Sequence, residues 1–268
     1  MGRVKADGRA CMNRSHATDA IVLRTHRIGE IHRGVVLLSR DSGLIRAIAH
    51  GANSPRGKLR GSTVVLAAGT AFLYTNPRTQ STKITDMDST EFFPAIRSDL
   101  QKYFTACLWS EVVLKSFGSG GGPEAMFDLL VGSLRLLDGA TSATTDLVSV
   151  QFLWRFLGVS GSQPDLELCA GCGESIARGD DVVYVPEDHG FCSLAHDCSA
   201  APAESVSLTW SSGTRMYLRH SANLSLDESV RVSPPPKAGA ALKRVLYYMV
   251  QDLVETPLNT LKSGAGII

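Results

Sequence analysis

The period of the hydrophobic residues changes near Pro94, and this change limits the possible folds more than any other feature of the sequence. Before Pro94, aliphatic and β-branched residues form short runs separated by turn-forming residues, which is typical of a β protein. Asp41-Ser42-Gly43 separates two of these runs and predicts a tight hairpin. The predicted strands are residues 20–24, 35–39, 44–49, 63–66, 71–74 and 83–87. These runs make five or six short strands within roughly seventy residues, and a five-stranded Greek-key barrel of the OB type fits that length.

After Pro94 the sequence predicts a bundle of helices. Apolar residues recur at helical spacing from Ile96 to Leu108, and Pro94 suits the first turn of a helix. We expect this helix to continue to about Phe117, where a glycine-rich segment stops it. Three further helices are predicted at residues 123–139, 145–158 and 238–255.

The chain therefore reads as a multidomain β + α protein with five regions. Residues 1–17 are basic but lack the apolar stretch of a signal peptide, so we expect a disordered leader. No run of about 18 apolar residues occurs, so we expect a cytoplasmic protein that does not bind membranes. The other expected regions are an OB barrel at 18–92, a helical domain in two parts at 93–163 and 206–268, and an inserted cysteine module at 164–205.

Basic residues are concentrated in the barrel. Between Ala20 and Gly61 there are eight arginines and lysines but only two acids, Glu30 and Asp41. The rest of the chain holds 19 basic and 24 acidic residues, although the net charge of the whole chain is only +1. A basic module on an otherwise acidic protein indicates a polyanionic partner such as nucleic acid. A solvated surface that happens to be basic is the alternative.

The segment HGANSPRGKLRG at residues 50–61 concentrates this charge. Arg56, Lys58 and Arg60 alternate with small residues, and Pro55 together with three glycines disfavours regular structure. We therefore predict a flexible, positively charged loop that contacts phosphate groups. The loop does not match a P-loop, since the residue after its lysine is leucine and no hydroxyl is placed for Mg²⁺.

Four cysteines predict a metal site. Cys169 and Cys172 form a C-x-x-C pair, whose thiolates can reach one tetrahedral ion from a single tight turn. Cys192 and Cys198 follow a predicted hairpin, and His196 between them is an alternative ligand. This zinc-ribbon-like arrangement predicts a structural zinc ion that folds the module and does no chemistry.

Two other interpretations of the cysteines stay open. The cysteines could be free of metal, or Cys169 and Cys172 could be a redox pair. A redox C-x-x-C is expected to follow a strand and open a helix in a βαβ unit, whereas this one lies in a glycine-rich turn. We find none of the common hydrolase, zinc-protease or deaminase motifs, and we expect a protein that is not an enzyme.

Four stretches together resemble the RecO family of bacterial DNA repair proteins. They are IVLRTHRIGE at 21–30, the strand pair around DSG, the loop at 50–61, and FFPAIRSDLQKYFTACLWSEVV at 92–113. Family members show a similar IVL-R start, a G-A-x-x-x-x-S/G-x-L-R-G loop, an F-P-x-L/I-R-x-D-L helix start and a C-x-x-C cluster. The resemblance extends over roughly residues 18–262 and includes the closing segment LYYMVQDLVETPLNTLKS. The longer spacing between Cys192 and Cys198 departs from the family pattern.

The resemblance implies a recombination mediator that is not an enzyme. It would bind single- and double-stranded DNA and anneal complementary strands. It would act with RecR, and in many bacteria RecF, to place RecA on DNA coated by single-strand-binding protein, and the acidic tail of that protein is a further expected partner. It would work in the cytoplasm at the nucleoid. The alternative is a zinc-stabilised adaptor between proteins with no direct DNA role.

The residues of the barrel agree with DNA binding. OB barrels bind nucleic acid through a basic groove that follows the phosphates and through aromatic side chains that stack on bases. The barrel has few aromatics, and we expect Phe72 and Tyr74 to lie in its core. We therefore predict binding that is dominated by phosphate contacts and nearly independent of sequence. The expected contacts are Arg24, Arg27, Arg33, Arg56, Lys58 and Arg60.

Overall fold

The computed structural model describes residues 15–116, 121–197 and 208–268. These residues form two compact units. The first consists of the described residues up to Leu37 together with Ile45–Glu91, and the second consists of Leu38–Leu44 together with Phe92–Ile268. Within the described ranges, every helix is too short or too polar to cross a lipid bilayer.

The first unit is built on a closed five-stranded barrel. Its strands are β1 (Ser15–Ile28), β2 (His32–Ser39), β3 (Gly43–Ala49), β4 (Ala68–Thr75) and β5 (Thr82–Glu91). They follow the order β1-β2-β3-β5-β4 around the barrel. β3 is parallel to β5, and β4 is antiparallel to both of its neighbours. The predicted barrel of the OB type is confirmed.

Two strand predictions differ from the structure. β1 begins at Ser15, whereas order was expected to begin near residue 18, and residues 1–14 of the predicted leader lie outside the described residues. Residues 63–66, predicted as a strand, form turns. Thr63 donates its backbone N–H to the carbonyl of Leu59, and Leu66 has a left-handed φ of 64°. Both features are incompatible with extended chain.

Phe72 and Tyr74 lie outside the barrel core, contrary to the prediction. Side chains alternate along a strand, and because Ala71 and Leu73 are buried, their neighbours face outward. Phe72 is 42% exposed, and Lys83 places its Nζ 5.0 Å from the centre of the Tyr74 ring. The core is aliphatic instead and includes Val22, Val35, Leu37, Leu73, Ile84 and Met87.

The second unit contains the predicted helices. In its described residues the helices are α1 (Pro94–Ser98), α2 (Leu100–Ser116), α3 (Pro123–Gly139), α4 (Ser142–Val159), α5 (Ser212–Ala222), α6 (Leu226–Ser229), α7 (Ala238–Val254) and α8 (Asn259–Ser263). The predicted helices at 123–139, 145–158 and 238–255 agree with α3, α4 and α7 to within a few residues. Helices α5, α6 and α8 were not predicted.

The helix predicted from Pro94 is interrupted at Asp99. This residue has extended dihedral angles, with φ −116° and ψ 122°, so α1 ends before it and α2 begins after it. Its carboxylate accepts a hydrogen bond of 3.0 Å from the backbone N–H of Lys102, as an N-cap residue does. A helix-start signal was therefore present in the sequence PAIRSDL, in the middle of the apolar pattern.

The cysteine module packs on the helices through aromatic side chains. Its sheet consists of β6 (Val182–Val185), β7 (Gly190–Ser193) and β8 (Thr209–Trp210), in the order β7-β6-β8. Trp210 is fully buried and lies 4.6 Å from the Phe191 ring and 6.2 Å from the Trp154 ring of α4, measured between ring centres. Its indole N–H donates to the Ala241 carbonyl of α7. One tryptophan therefore joins the module's sheet to two helices.

Glu111 of α2 holds the C-terminal helix α8 in place. Its carboxylate accepts hydrogen bonds from the backbone N–H groups of Asn259 and Thr260, at 2.9 and 2.8 Å, and from the Thr260 hydroxyl. Lys115 lies 2.9 Å from the same carboxylate. Burial alone would raise the pKa of Glu111, but these hydrogen bonds lower it to about 2. The side chain thus links two segments about 150 residues apart.

We predict that Glu111→Gln destabilises the protein by about 2 kcal/mol at pH 7, because hydrogen bonds to a charged acceptor contribute about that much. The folded pKa of about 2 lies below the usual 4.5, so the carboxylate stabilises the fold above pH 4.5. This stabilisation is lost as the pH falls from 4.5 towards 2. Urea unfolding of both proteins at several pH values measures the difference.

The matched control is Glu187→Gln, which changes an exposed carboxylate in the same way. It should leave the free energy of unfolding within about 0.5 kcal/mol of the wild type. A Glu111→Gln difference that stayed constant down to pH 2 would show that the charge of Glu111 is not what holds α8.

Candidate functional site

The segment between β3 and β4, residues 50–67, carries three of the six predicted phosphate contacts, Arg56, Lys58 and Arg60, and we call it the basic connector. It contains neither helix nor strand, which was predicted for residues 50–61 but not for residues 63–66. It is nevertheless tied to the barrel, because Ala52 and Leu59 are 0% and 5% exposed and belong to the barrel core. Ala52 and Leu59 anchor the backbone at two points, and the side chains of Arg56 and Lys58 between them are exposed to solvent.

Gly57 makes this compact path possible. A Cβ atom on Gly57 would lie 2.0 Å from the backbone oxygen of Gly51, a distance that no side chain can adopt. The backbone N–H of Gly57 also donates to the carbonyl of Ser54 at 3.0 Å. The glycine is therefore required by a close approach of two parts of the backbone.

Arg33 of β2 fixes the connector from inside. Its Nη1 donates to the carbonyls of Arg60 and Thr63, at 3.2 and 2.9 Å, and to the Thr63 hydroxyl. Its Nε donates to Oδ1 of Asn53 at 3.1 Å, and its Nη2 lies 3.4 Å from the Ala52 carbonyl. Burial, followed by the nearby charge of Arg60, lowers the pKa of Arg33. Its guanidinium is thus largely used within the protein, and its expected role in binding phosphate stays a prediction that this geometry does not favour.

Arg27 and Lys58 are also engaged, although more loosely. The Arg27 guanidinium folds back onto the β1–β2 turn and donates to the carbonyls of Gly29 and Glu30, at 3.0 and 3.1 Å. Lys58 forms a 2.6 Å ion pair with Asp86 of β5, with side chains 74% and 45% exposed. The hydrogen bond from Lys58 lowers the pKa of Asp86. Such an exposed pair contributes little to stability and can exchange its partner for a phosphate.

Arg24, Arg56 and Arg60 are the most available of the predicted contacts. All three are exposed, and among the described residues the structure shows no partner for the Arg24 and Arg56 guanidinium groups. Among these same described residues, the Arg60 guanidinium donates only to the carbonyl of Pro55, at 3.3 Å. These positions, together with Lys58, present positive charge to solvent, as a polyanion-binding surface requires.

We predict that Arg33→Met destabilises the barrel by about 2 kcal/mol, because it leaves the carbonyls of the connector without their charged donor. Arg24→Met removes a similar side chain that has no partner among the described residues, so it should cost under about 0.5 kcal/mol. Urea unfolding measures both values. Amide hydrogen exchange at Asn53 and Thr63 should become faster only in Arg33→Met, and equal effects of the two substitutions would contradict the role of Arg33.

A cluster of two cysteines and a histidine lies in the cysteine module. One ligand atom from each of Cys169, Cys172 and His196 can be chosen so that all three lie within 4.8 Å of one another. The Cys172 Sγ is 3.3 Å from His196 Nδ1. The backbone around the C-x-x-C folds tightly, since Gly173 has a φ of 76° and donates its N–H to the Cys169 carbonyl. Two thiolates and one imidazole are a ligand set that suits a tetrahedral metal ion.

The environment of Cys169 favours the thiolate form that binds metals. Burial alone would raise the pKa of this thiol. The backbone N–H groups of Ser193, Cys172 and Gly171, together with His196, donate towards the sulfur and lower its pKa to about 6. Thiolates are the form in which cysteines ligate metals, so the residues present fit a metal ion.

The position of the fourth predicted ligand differs from that of the other three. Cys192 is buried and lies close enough to Cys169 to interact with it. Its burial, and secondly the charge of Cys169, raise the pKa of the Cys192 thiol. It is not part of the cluster formed by Cys169, Cys172 and His196. Cys198 lies outside the described residues. His196, which was predicted only as an alternative ligand, is thus brought together with the C-x-x-C pair.

Arg215 of α5 supports the module, and sequence reasoning missed it. It is only 1% exposed, and its Nη1 and Nη2 donate to the carbonyls of Leu166 and Ala177, on either side of the C-x-x-C turn. Arg219, one turn later in α5, pairs with Glu167. A lone arginine in an unrecognised helix carries no sequence signal for such a role.

Two family models match the chain. The model described as Recombination protein O N terminal matches residues 12–93, and the model described as Recombination protein O C terminal matches residues 97–262. The boundary between the two matches falls at the start of α1, where the barrel strands have ended.

The chain is also similar to curated proteins named DNA repair protein RecO. It is 30% identical to the protein from Heliobacterium modesticaldum over 227 residues, which cover 84% of this chain and 80% of that protein. It is 29% identical to the protein from Desulforamulus reducens over 243 residues, which cover 89% of this chain and 91% of that protein.

Proposed function

The chain belongs to the RecO family of DNA repair proteins, and from this premise we propose that it acts by binding DNA and not by catalysing a reaction. We propose that it binds single- and double-stranded DNA and anneals complementary strands. It would act in the cytoplasm at the nucleoid, with RecR and in many bacteria RecF, to place RecA on DNA coated by single-strand-binding protein. The acidic tail of that coating protein would be a further partner.

The basic connector is the single observation that carries the proposal. Its buried residues Ala52 and Leu59 anchor it in the barrel, and its cations face solvent. Charges held on a fixed segment lose little conformational entropy when a phosphate backbone binds. Arg24, Arg56, Lys58 and Arg60 would make the phosphate contacts, with a weaker contribution from Arg27. No base-specific contact is needed for a mediator that acts on any sequence.

We predict that Arg56, Lys58 and Arg60 changed together to glutamate weaken binding of a single-stranded oligonucleotide by about tenfold or more at low salt. Each phosphate contact on a single strand contributes about 0.7 to the slope of log affinity against log salt concentration. The slope should therefore fall by about 2 in the triple variant. Fluorescence anisotropy with a labelled oligonucleotide over a range of salt concentrations measures both quantities.

The matched control reverses three exposed cations of the second unit, Arg178, Lys237 and Lys262. It changes the net charge equally and should retain most of the affinity and the slope. If the wild type binds no DNA even at low salt, DNA binding itself is refuted. If both triple variants bind equally, DNA is bound by another surface.

A protein adaptor is the second candidate, and exposed leucines beside the cysteine cluster favour it. Leu168 and Leu194 are 48% and 49% exposed and lie next to Cys169 and Ser193 in the chain. Apolar side chains on a rigid module can bind a partner protein. In an adaptor with no DNA role, reversing the charges of the basic connector would leave the DNA affinity unchanged. The anisotropy titration therefore distinguishes the two functions.

We also propose that the cysteine module binds one structural zinc ion. Cys169, Cys172 and His196 would hold it, and either Cys192 or Cys198 would be the fourth ligand. When bound, the ion would cross-link the C-x-x-C turn to the segment after β7. Four protein ligands would close its coordination shell, so the ion would stabilise the module and leave no position for a substrate.

We predict one zinc ion per chain in the purified protein, measured by elemental analysis. Removal by a strong chelator should lower the thermal midpoint by about 5 °C or more, because metal binding contributes to the free energy of folding. Cys169→Ser should abolish zinc binding, whereas Cys107→Ser, which changes a cysteine of α2, should retain it. Cys192→Ser and Cys198→Ser then identify the fourth ligand.

The same measurements test the other interpretations of the cysteines. A redox pair would contain no zinc and would react with a thiol reagent without prior chelation. Metal-free protein whose thermal midpoint does not respond to added zinc would contradict the zinc proposal and leave DNA binding unaffected.

A further inference from the structure

An open groove lies beside the basic connector, within the first unit. Its volume is about 530 Å³, and its lining includes His26, Arg27, Glu30, Arg33, Val64 and Val65. Pockets that hold small organic groups measure about 300 to 1,000 Å³, so the groove can accept a group as large as a nucleobase. It lies between the end of β1, the β1–β2 turn and the second half of the connector.

The His26 ring in this groove rests on a glycine. A Cβ atom at Gly34 of β2 would lie 2.2, 2.3 and 2.8 Å from the Cε1, Nε2 and Nδ1 atoms of His26. A point this close to three ring atoms lies over the face of the ring. One face of the imidazole is therefore packed on the backbone of Gly34, while His26 as a whole is exposed. Because His26 is exposed and lines the groove, its other face can serve as a flat platform.

The rest of the lining offers little to a phosphate, because the guanidinium of Arg33 already donates to carbonyls of the basic connector. Val64 and Val65 give an apolar wall, and the Glu30 carboxylate, which has no hydrogen-bond partner among the described residues, would repel an anion. A nucleobase has a flat apolar face and N–H donors for a carboxylate, so it matches these surfaces. Arg27, which lines the groove and donates to two backbone carbonyls, provides positive charge for a polynucleotide. Arg24, two residues before His26 on β1, is also exposed.

We propose that this groove holds one unpaired base of single-stranded DNA, stacked on the His26 ring, while the phosphates follow Arg27 and the basic connector. The proposal rests on the DNA-binding function proposed above and adds a contact that reads the base face. Histidine is among the side chains that stack on unpaired bases. A base within a duplex is stacked on both faces and paired at its Watson–Crick edge, so the groove favours single strands.

The test compares two single-stranded oligonucleotides of equal length and charge, one of thymidines and one of abasic sites. The wild type should bind the thymidine oligonucleotide more tightly. His26→Ala should weaken binding to the thymidine oligonucleotide by about five- to tenfold, as the loss of one stacking contact does, and leave abasic binding unchanged. His26→Phe keeps a flat ring and should restore the affinity. His220→Ala, which removes an exposed histidine of α5, is the control.

A second pair of variants tests the platform without changing the histidine. Gly34→Ala places a methyl group where the ring lies and should displace it, with the same selective loss as His26→Ala. Gly61→Ala adds a methyl group in open space within the basic connector and should have no effect. Equal behaviour of the two alanine variants would overturn the role assigned to Gly34.

The outcomes separate this inference from the proposed function. Absence of DNA binding by the wild type would refute both. If the wild type binds DNA but His26→Ala lowers the affinity for both oligonucleotides alike, or for neither, DNA binding stands and the base-binding groove is overturned. If free thymidine monophosphate at millimolar concentration displaces the oligonucleotide, the groove is a mononucleotide site and the assignment to single-stranded DNA is overturned.

Discussion

The guanidinium of Arg33 is the interaction on which the candidate DNA-binding surface depends. The basic connector has no secondary structure, and an unstructured segment of this composition would ordinarily sample many conformations. Five donor contacts from one half-buried side chain, to Ala52, Asn53, Arg60 and Thr63, replace the regular hydrogen bonds that the segment lacks. The exposed cations can therefore be mobile at their tips while their backbone is fixed. The Arg33 side chain on β2 thus fixes the backbone of the connector, which has no regular secondary structure to fix it.

The cysteine module repeats this principle in the second unit. Arg215 donates to carbonyls before and after the C-x-x-C turn, and Trp210 joins the sheet of the module to α4 and α7. Both contacts lie outside the cluster formed by Cys169, Cys172 and His196. The turn is therefore held partly by protein contacts, and a bound ion would add to an arrangement that already brings its ligands together. Such preorganisation raises the affinity of a site for its ion.

Much of the fold could be predicted from the sequence, and the errors have identifiable physical causes. Hydrophobic periodicity was sufficient for the barrel and for α3, α4 and α7, because long periodic segments carry a strong signal. It failed at Asp99, where an extended residue ends α1 and its carboxylate caps the start of α2 within a continuous apolar pattern. It failed at Phe72, because a short strand of apolar residues does not show which face is buried. α6 was missed although Ser225 and Glu228 form a capping box, a signal that was readable.

The candidate site was less predictable, since sequence shows charge but not how that charge is used. Arg33 and Arg56 are indistinguishable as letters in a basic stretch, yet one is bonded to the protein and the other faces solvent. The difference arises from the barrel, where a side chain on β2 reaches carbonyls 27 to 30 residues later in the chain. The pairing of neighbouring strands in the barrel also packs His26 of β1 on Gly34 of β2. It forms the groove between β1 and the basic connector. The surface proposed to bind both phosphate and base is thus a product of strand register, since neither Arg33 nor His26 carries that information in the sequence alone.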